Sequence, residues 1–148
     1  MDSDATLARA CGDAMWAEDH ATHALGMELG DIVTGEAEIS MTVRKDMVNG
    51  HGLCHGGLIF TLADSAFAYA CNTHNRRAVA SGARIEFLAP ARLGDRLTAC
   101  ARQLSQGRST GVYDVIVSRS DGVQVALFRG NAHRITGQLV ETDEGGSD

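Results

Sequence analysis

Hydrophobic and polar residues alternate from Val33 to Val43, and this two-residue period is typical of a strand that buries one face. Apolar or small residues occupy every second position, with Thr, Ser and Glu between them. The alternation returns in the second half of the chain, over residues 84–87, 96–102, 113–117 and 123–127. Turn signals at 106–107 and 121–122 separate the last three segments, so we expect an antiparallel meander.

Two segments have a helical period instead. Residues 4–17 predict a short amphipathic helix with Asp4 as its N-cap and an apolar face made of Leu7, Cys11 and Met15. Residues 56–74 predict a longer helix, which is apolar or small almost throughout from Gly56 to Cys71. One long apolar helix and an antiparallel sheet of five or six strands predict a two-layer α+β domain, in which the sheet wraps around the helix to bury it.

The composition fits one globular domain. A length of 148 residues, with 44% hydrophobic and 22% charged residues, suffices for a core without disulfide or metal staples. We assign the domain to residues 1–140 and expect the polar, acidic segment 141–148 to be disordered. No apolar stretch reaches the roughly 18 residues of a membrane span. The acidic N-terminal segment lacks the features of a signal peptide, so we expect a cytoplasmic protein that binds no membrane.

The net charge argues against nucleic acid as a partner and limits where an anionic small ligand could bind. A net charge of −6 without a dense run of Lys or Arg argues against nucleic acid, because its binding rests on neutralising phosphates. An anionic small ligand would need local positive charge instead. The turn Gln106-Gly107-Arg108-Ser109 is at least a hairpin turn, and it equally suits a phosphate-binding edge with an Arg fork and backbone N–H groups.

The long predicted helix carries one charged residue between Gly56 and Cys71, namely Asp64. A carboxylate in an apolar setting is either hydrogen-bonded for structure or positioned for chemistry, because an unpaired buried charge costs about several kcal/mol. The preceding segment favours chemistry, since Asn49 to Gly57 contains two His, one Asn and four Gly in nine residues. A structural carboxylate, satisfied by a neighbouring backbone group or Arg, remains the alternative.

Gly56 and Gly57 open this helix, where unsatisfied backbone N–H groups attract developing negative charge. His55 and Asn49 flank them. Asp64 follows Gly56 by eight residues, so the two lie roughly 12 Å apart along the axis at about 1.5 Å per residue. One carbonyl group cannot contact both. If they act on the same carbon, they come from two copies of the chain related by a two-fold axis.

His51, Cys54 and His55 suggest a metal site, but we expect none. The segment around them is rich in glycine rather than helical, and the four cysteines form no C-x-x-C pair, so the ligand count is too low. We expect reduced, mostly buried thiols and no metal or redox cofactor. A Cys54 nucleophile activated by His55 is disfavoured, because adjacent residues point apart in an extended chain.

These motifs resemble the hotdog-fold acyl-CoA thioesterases, and within them the PaaI type associated with phenylacetic acid degradation. The similarity extends from about residue 10 to 137. It is carried by Asn49-Gly50-His51, Cys54-His55-Gly56-Gly57, Leu62-Ala63-Asp64, Phe67-Ala68-Tyr69-Ala70-Cys71-Asn72, Thr110-Gly111-Val112-Tyr113-Asp114 and Val125-Ala126-Leu127-Phe128-Arg129-Gly130. The H-G-G and A-D segments are specific to the superfamily, and the later segments narrow the resemblance to the PaaI type.

The resemblance implies a sheet wrapped around the central helix and a homodimer with shared active sites, joined sheet edge to sheet edge. Two such dimers commonly form a homotetramer. The resemblance further implies that Asp64 is the catalytic carboxylate and that the Gly56 N–H polarises the thioester carbonyl. Asn49 and His55 are implied to orient substrate and water.

We therefore expect hydrolysis of an acyl-CoA thioester, with Asp64 as nucleophile or general base. The resemblance implies phenylacetyl-CoA or a hydroxylated aryl-acetyl-CoA as substrate. Candidate substrate- and CoA-binding residues are Gly57, Phe87, Gln106, Gly107, Arg108 and Ser109. Phe60, Phe67 and Tyr69 could line an aromatic pocket, although packing in the core is the commoner fate of such residues. Some relatives carry a serine where Ala80 stands here, and whether Ser81 replaces it stays open. A hydratase or dehydratase and a non-catalytic acyl-CoA-binding protein are the alternatives.

Overall fold

The computed structural model describes residues 3–142, which contain three α-helices and six strands. The helices are α1 (Ser3–Glu18), α2 (His20–Ala24) and α3 (Gly56–Cys71). The strands are β1 (Glu28–Val33), β2 (Glu36–Thr42), β3 (Ala78–Phe87), β4 (Arg96–Gln106), β5 (Thr110–Arg119) and β6 (Gln124–Arg134). Most of the segment that the sequence predicts to be disordered, residues 143–148, lies outside the described residues.

All six strands form one antiparallel sheet in the order β1-β2-β4-β5-β6-β3. Burial alternates along β2, β4, β5 and most of β6, so their inward side chains form one face of the core. α3 packs against this face through Ile59, Leu62, Ala63, Ala66, Phe67, Tyr69, Ala70 and Cys71. Burial of this apolar surface drives the helix into the sheet. The predicted two-layer α+β domain is confirmed.

The strand expected from Val33 to Val43 was wrong in its extent. The chain turns at Thr34 and Gly35, where Gly35 has a φ of 78°, and the segment therefore spans the end of β1, a turn and β2. The sequence pattern missed β1 because an irregularity interrupts its pairing between Leu29 and Ile32, and Ile32 is its one buried residue. The alternation itself holds in β2, which buries Ala37, Ile39 and Met41.

Both predicted helices are confirmed with shifted ends. α1 begins at Ser3, so Asp4 lies in its first turn rather than at the N-cap. The buried face of α1 consists of Ala8, Cys11 and Gly12. The long helix ends at Cys71 rather than at residue 74, because the Asn72 side chain bonds the Ala68 carbonyl and both backbone groups of Ala78 at the start of β3.

Asn75 ties the loop after α3 to the C-terminal segment. It is buried and has a φ of 59°, a conformation that Asn tolerates better than most residues. Its Oδ1 accepts from the backbone N–H groups of Leu139 and Val140, both at 3.0 Å, and its Nδ2 donates to the Val140 carbonyl at 2.9 Å. The thiol of Cys11 in α1 approaches the same Oδ1 at 3.7 Å. One side chain thus joins three parts of the chain.

We expect Asn75→Ala to lower the free energy of unfolding by about 2–4 kcal/mol, because it leaves buried backbone groups without partners. Urea denaturation followed by circular dichroism measures this change. Asn75→Gly is the matched control, since it removes the same hydrogen bonds but relieves the backbone cost of a positive φ, roughly 1 kcal/mol. Wild-type stability in the Gly variant would contradict the role assigned to the hydrogen bonds.

Candidate active site

The N-terminus of α3 leaves one backbone donor free. His55 caps the helix, since its Nδ1 accepts from the Gly57 N–H at 3.1 Å and its carbonyl accepts from the Leu58 N–H at 3.0 Å. Because Nδ1 accepts, the ring of His55 carries its proton on Nε2. Within residues 3–142 the Gly56 N–H has no acceptor. A substrate oxygen can therefore accept from Gly56, whereas the Gly57 N–H is used inside the cap.

Phe87 lies directly against Gly56. A Cβ placed on Gly56 would meet the ring Cζ of Phe87 at 3.1 Å. Phe87 is the last residue of β3, and it is 54% exposed although it is a large apolar side chain. The fold thus brings together two candidate site residues that are 31 positions apart in the sequence, and the missing side chain of Gly56 lets the ring approach the helix end.

Asn49 shapes the loop that leads into the helix. Its Oδ1 accepts from the backbone N–H groups of His51 at 2.9 Å and Leu53 at 3.1 Å. Its side chain contributes no other hydrogen bond within the described part of the chain, so the amide nitrogen of Asn49 is available to a ligand. The oxygen is occupied by the loop, and any contact with substrate therefore uses the N–H donors.

Asp64 lies in the middle of α3 and is half-buried. Among residues 3–142 it makes no hydrogen bond or ion pair. Burial raises the pKa of Asp64 above its ordinary value of 3.8. The pKa of the Cys71 thiol is raised to about 12, mainly by burial and further by the negative charge of Asp64. Asp64 is therefore not a structural carboxylate that neighbouring groups within residues 3–142 satisfy.

Gly56 and Asp64 lie on the same helix, so their separation follows from helix geometry. Eight residues at about 1.5 Å each give roughly 12 Å along the axis. The two groups cannot contact one carbonyl from within one chain. The two groups that the sequence predicts to act on one carbonyl thus lie apart in one chain, an N–H donor at the helix end and a carboxylate at its centre.

An exposed sheet edge lies beside the Gly56 end of the helix, where Phe87 of β3 approaches it. β3 is an edge strand whose inner neighbour is β6, and none of its ten residues is buried. Val79 and Phe87 near its ends are 48% and 54% exposed. An edge of this length with exposed apolar side chains is suited to pairing with another strand.

The aromatic residues near the motif have different surroundings. Phe67 and Tyr69 are buried: Phe67 packs on Tyr113 and Phe128, with ring centroids 5.8 Å apart in both pairs, and the Tyr69 hydroxyl donates to Asp19. The suggestion that these two line an aromatic pocket was wrong, because both are core residues. Phe60 is half-buried against Phe128 at 5.3 Å and stays a candidate.

The turn between β4 and β5 lies at the other end of α3. His74, just after the helix, bonds Gln103 Oε1 at 2.8 Å, and the buried Tyr113 hydroxyl donates to Gln103 and to Gln106. The amide of Gln106 donates to the carbonyls of Gly107 and Thr110. The side chain of Gln106 therefore shapes the turn, and the exposed Arg108 and Ser109 are left to face a ligand.

Two other sequence hypotheses concern Ser81 and metal binding. Ser81 lies at a pairing irregularity in β3, and its hydroxyl donates to the Asn131 carbonyl at 3.2 Å. Residues 3–142 contain no group of three His, Cys, Asp or Glu side chains that could hold a metal ion. No helix in this part of the chain is long and apolar enough to cross a membrane.

Known proteins match the part of this chain that contains these motifs. A model of the thioesterase superfamily matches residues 51–126, which include Gly56 and Asp64. The acyl-coenzyme A thioesterase PaaI of Escherichia coli strain K12 is 48% identical over 127 residues, which are 86% of this chain and 91% of that protein.

Solved structures give the same result in three dimensions. The E. coli PaaI protein from the phenylacetic acid degradation operon superimposes with a TM-score of 0.91 and 46% identity, over 92% of this chain and 99% of that chain. A hypothetical thioesterase protein from Streptococcus pneumoniae TIGR4, solved with coenzyme A, has a TM-score of 0.76 and 27% identity, over 85% and 96%.

Proposed function

Because the chain belongs to the thioesterase superfamily, and within it to the PaaI-type hotdog acyl-CoA thioesterases, we propose that it hydrolyses aryl-acetyl-CoA in a site shared by two subunits. Membership makes the protein an acyl-CoA thioesterase rather than a hydratase, a dehydratase or a non-catalytic binder. The observation that supports the shared site is Asp64, a half-buried carboxylate without a partner in its own chain, on the same helix as the free Gly56 N–H.

The thioester oxygen accepts from the Gly56 N–H of one subunit, and Asp64 of the partner subunit faces the carbonyl carbon. Negative charge develops on the oxygen as the carbon becomes tetrahedral, and the donor is already oriented to stabilise it. His55 Nε2 and the amide nitrogen of Asn49 are donors that orient substrate and water beside the helix end. The CoA thiolate leaves and takes up a proton, while the acyl carbon gains its second oxygen from water. The products are the carboxylate, the CoA thiol and one proton released to solvent.

Asp64 has two possible roles in this reaction. As a nucleophile it forms a mixed anhydride with the acyl group, which water then hydrolyses; as a general base it takes a proton from an attacking water. Single-turnover hydrolysis in heavy-oxygen water tests the nucleophilic role. Label in the Asp64 carboxylate indicates an anhydride that water opens at the Asp64 carbon, whereas label confined to the product acid excludes that route alone.

We propose phenylacetyl-CoA or a hydroxylated analogue as the acyl donor, on the basis of similarity to the PaaI type. Half-buried Phe60 and exposed Phe87 are the aromatic residues near the start of α3 that the phenyl ring of the acyl group could contact. Comparison of kcat/KM for aryl-acetyl-, benzoyl- and aliphatic acyl-CoA tests the proposal. A preference for aliphatic chains would refute the aryl-acetyl assignment while leaving the thioesterase activity intact. The cytoplasmic location stays a prediction.

The shared site requires an oligomer, and we propose that β3 pairs with β3 of a second subunit. Antiparallel pairing of this edge joins two sheets and brings Gly56 of each subunit near Asp64 of the other. The similarity to the PaaI type further favours a homotetramer of two such dimers. Light scattering coupled to size-exclusion chromatography measures the assembly, and a monomer with full activity would refute the shared site.

Arg108→Ala should raise the KM for acyl-CoA about two- to fivefold with a smaller effect on kcat. Arg108 is an exposed cation on the β4–β5 turn of an acidic protein, and we propose that it holds CoA phosphates. Such contacts are screened, so the variant should also show a flatter dependence of KM on salt. Arg108→Lys keeps the charge but loses the forked guanidinium, so its KM should lie between those of the wild type and Arg108→Ala. An unchanged KM at low salt would contradict the role.

Activity should survive metal chelation. The proposed chemistry uses a carboxylate and backbone and side-chain donors, and a metal ion has no assigned step in it. We expect enzyme dialysed against EDTA to retain its kcat, with enzyme dialysed against buffer as the control. Stoichiometric zinc that is lost together with activity, and restored by added zinc, would overturn this prediction.

A further inference from the structure

A buried tyrosine lies beneath the turn between β4 and β5. Tyr113 of β5 is fully buried, and its ring packs edge-on against Phe67 of α3, with the ring centroids 5.8 Å apart. Its hydroxyl reaches the side-chain amides of Gln103 and Gln106 in β4. Tyr113 belongs to the sequence motif of residues 110–114, to which the proposed catalytic step gives no role.

The hydroxyl hydrogen of Tyr113 is needed by Gln106. One hydrogen faces two amide oxygens, at 2.8 Å for Gln106 and 3.1 Å for Gln103. The oxygen of Gln103 also lies 2.8 Å from His74 Nε2, and because an amide oxygen only accepts, the His74 ring is the donor there. Gln103 thus has a second donor, whereas among residues 3–142 the Tyr113 hydroxyl is the one donor to Gln106 Oε1. Burial raises the pKa of Tyr113, so the hydroxyl keeps this hydrogen at neutral pH.

Gln106 in its turn holds the two sides of the loop together. Its Nε2 donates to the Gly107 carbonyl at 2.9 Å and to the Thr110 carbonyl at 3.1 Å. The backbone adds one hydrogen bond, from the Gly107 N–H to the Thr110 carbonyl at 2.8 Å. The amide of Gln106 is therefore fixed at its oxygen by Tyr113 and closes the turn with its nitrogen. Without the hydroxyl of Tyr113, the amide loses the bond that orients it.

Gly111 leaves the space that this amide occupies. A Cβ placed on Gly111 would collide with Gln106 Oε1 and would lie 3.0 Å from the Tyr113 ring. Gly111 is itself buried, so a larger residue there would displace the amide. The Gly and the Tyr of the motif thus act together, because one makes room for Gln106 and the other binds it.

We propose that Tyr113 is a positioning residue that holds the β4–β5 turn in the conformation that receives CoA; this rests on the proposed function, in which Arg108 contacts the CoA phosphates. Arg108 and Ser109 are exposed and lie between the two carbonyls that Gln106 binds. A turn that is already held in one conformation loses less entropy when a ligand binds. Since Tyr113 is fully buried, its effect reaches the ligand through Gln106 and the turn.

Tyr113→Phe removes the hydroxyl and keeps the ring. We expect deuterium exchange of the Gly107 backbone N–H to become about three- to tenfold faster, as the loss of one hydrogen bond to the turn implies. The KM for acyl-CoA, and the Kd for CoA measured by titration calorimetry, should rise about two- to fivefold, the range expected for Arg108→Ala. The kcat should not change, because the hydroxyl does not bond the reacting carbonyl in the proposed site.

Tyr69→Phe is the matched control. It also removes the hydroxyl of a buried tyrosine, but this hydroxyl donates to Asp19 rather than to the turn. We expect the variant to keep the wild-type exchange of Gly107 and the wild-type KM. A general loss of stability would affect both tyrosine variants, whereas positioning of the turn affects Tyr113→Phe alone.

Combination with Arg108→Ala tests whether Tyr113 acts through the turn. In the Arg108→Ala protein, Tyr113→Phe should raise KM by less than about twofold, because the contact that it positions is already absent. Gln106→Met keeps the length of the side chain but has no amide, and it should reproduce the effects of Tyr113→Phe. This variant replaces Tyr113→Phe if the latter does not fold.

The proposal would be overturned by unchanged exchange and unchanged KM in Tyr113→Phe, by a loosened turn with wild-type affinity for CoA, or by full additivity with Arg108→Ala. Exchange and calorimetry need no hydrolysis, so the proposed function is tested separately. A loosened turn and weaker CoA binding in a protein whose wild type hydrolyses no acyl-CoA would refute the proposed function and support the positioning role. Hydrolysis by the wild type, with unchanged exchange in Tyr113→Phe, would do the reverse.

Discussion

Asp64→Asn should lower kcat by roughly 10²–10⁴-fold while the protein stays folded and binds CoA as before. Asn has nearly the same shape as Asp, but it neither attacks a thioester nor takes a proton from water. Initial rates with phenylacetyl-CoA, followed by release of the CoA thiol, measure the loss. Ser65→Ala is the control for a small polar change on the same helix turn, since the Ser65 side chain bonds only the Thr61 carbonyl among the described residues. Full activity in Asp64→Asn would refute the catalytic role.

The same substitution should stabilise the protein at neutral pH. Because burial raises the pKa of Asp64 above 3.8, the folded state holds its proton more tightly than the unfolded state. The folded state is therefore favoured by this group below 3.8, and that advantage is lost as pH rises through the raised pKa. Asp64→Asn removes this dependence. We expect its Tm to exceed that of the wild type at pH 7, with a difference that shrinks as the pH approaches 3.8.

Periodicity identified the elements that bury one complete face. α3 and strands β2, β4, β5 and β6 were predicted because each presents a regular apolar face to the core. β3 has no buried residue, and it was predicted because Ile85 and Phe87 alternate with Arg84 and Glu86. β1 was not, because it buries Ile32 alone and its pairing is irregular. An apolar helix also conceals which side faces the sheet, and for this reason the sequence left both a pocket and the core open for Phe67 and Tyr69, which are core residues.

The catalytic groups on α3 and the turn between β4 and β5 differ in how much of their position is visible in the sequence. Gly56 and Asp64 lie on one continuous helix, so their roughly 12 Å separation follows from its rise alone. The position of the turn depends on strand pairing: Thr110 pairs with His133, which places the turn that carries Arg108 beside the last residue of β6. No local pattern in the sequence contains that register. Local spacing thus sufficed for the separation of Gly56 and Asp64, and the three-dimensional pairing was needed to place the turn.

Two inactive variants should restore activity when they share a dimer. Gly56→Pro removes the N–H that we propose as oxyanion donor, and the first position of a helix accepts proline. We expect it to lower kcat by about 10²–10³-fold. Gly56→Ala is the matched variant, because both substitutions place a Cβ against the Phe87 ring but alanine keeps the N–H. Proline should therefore cost far more activity than alanine, and equal losses would assign the effect to the ring contact.

Coexpression of Asp64→Asn and Gly56→Pro chains with different tags allows the heterodimer to be isolated. Each of its two sites takes Asp64 from one chain and Gly56 from the other, so one site contains both defects and the second contains neither. We expect about half of the wild-type kcat per dimer, against almost none for either parent, as the symmetry of a two-fold dimer requires. A folded heterodimer as inactive as its parents would mean that the donor and the carboxylate act within one chain, and the oxyanion donor for Asp64 would then have to come from its own subunit.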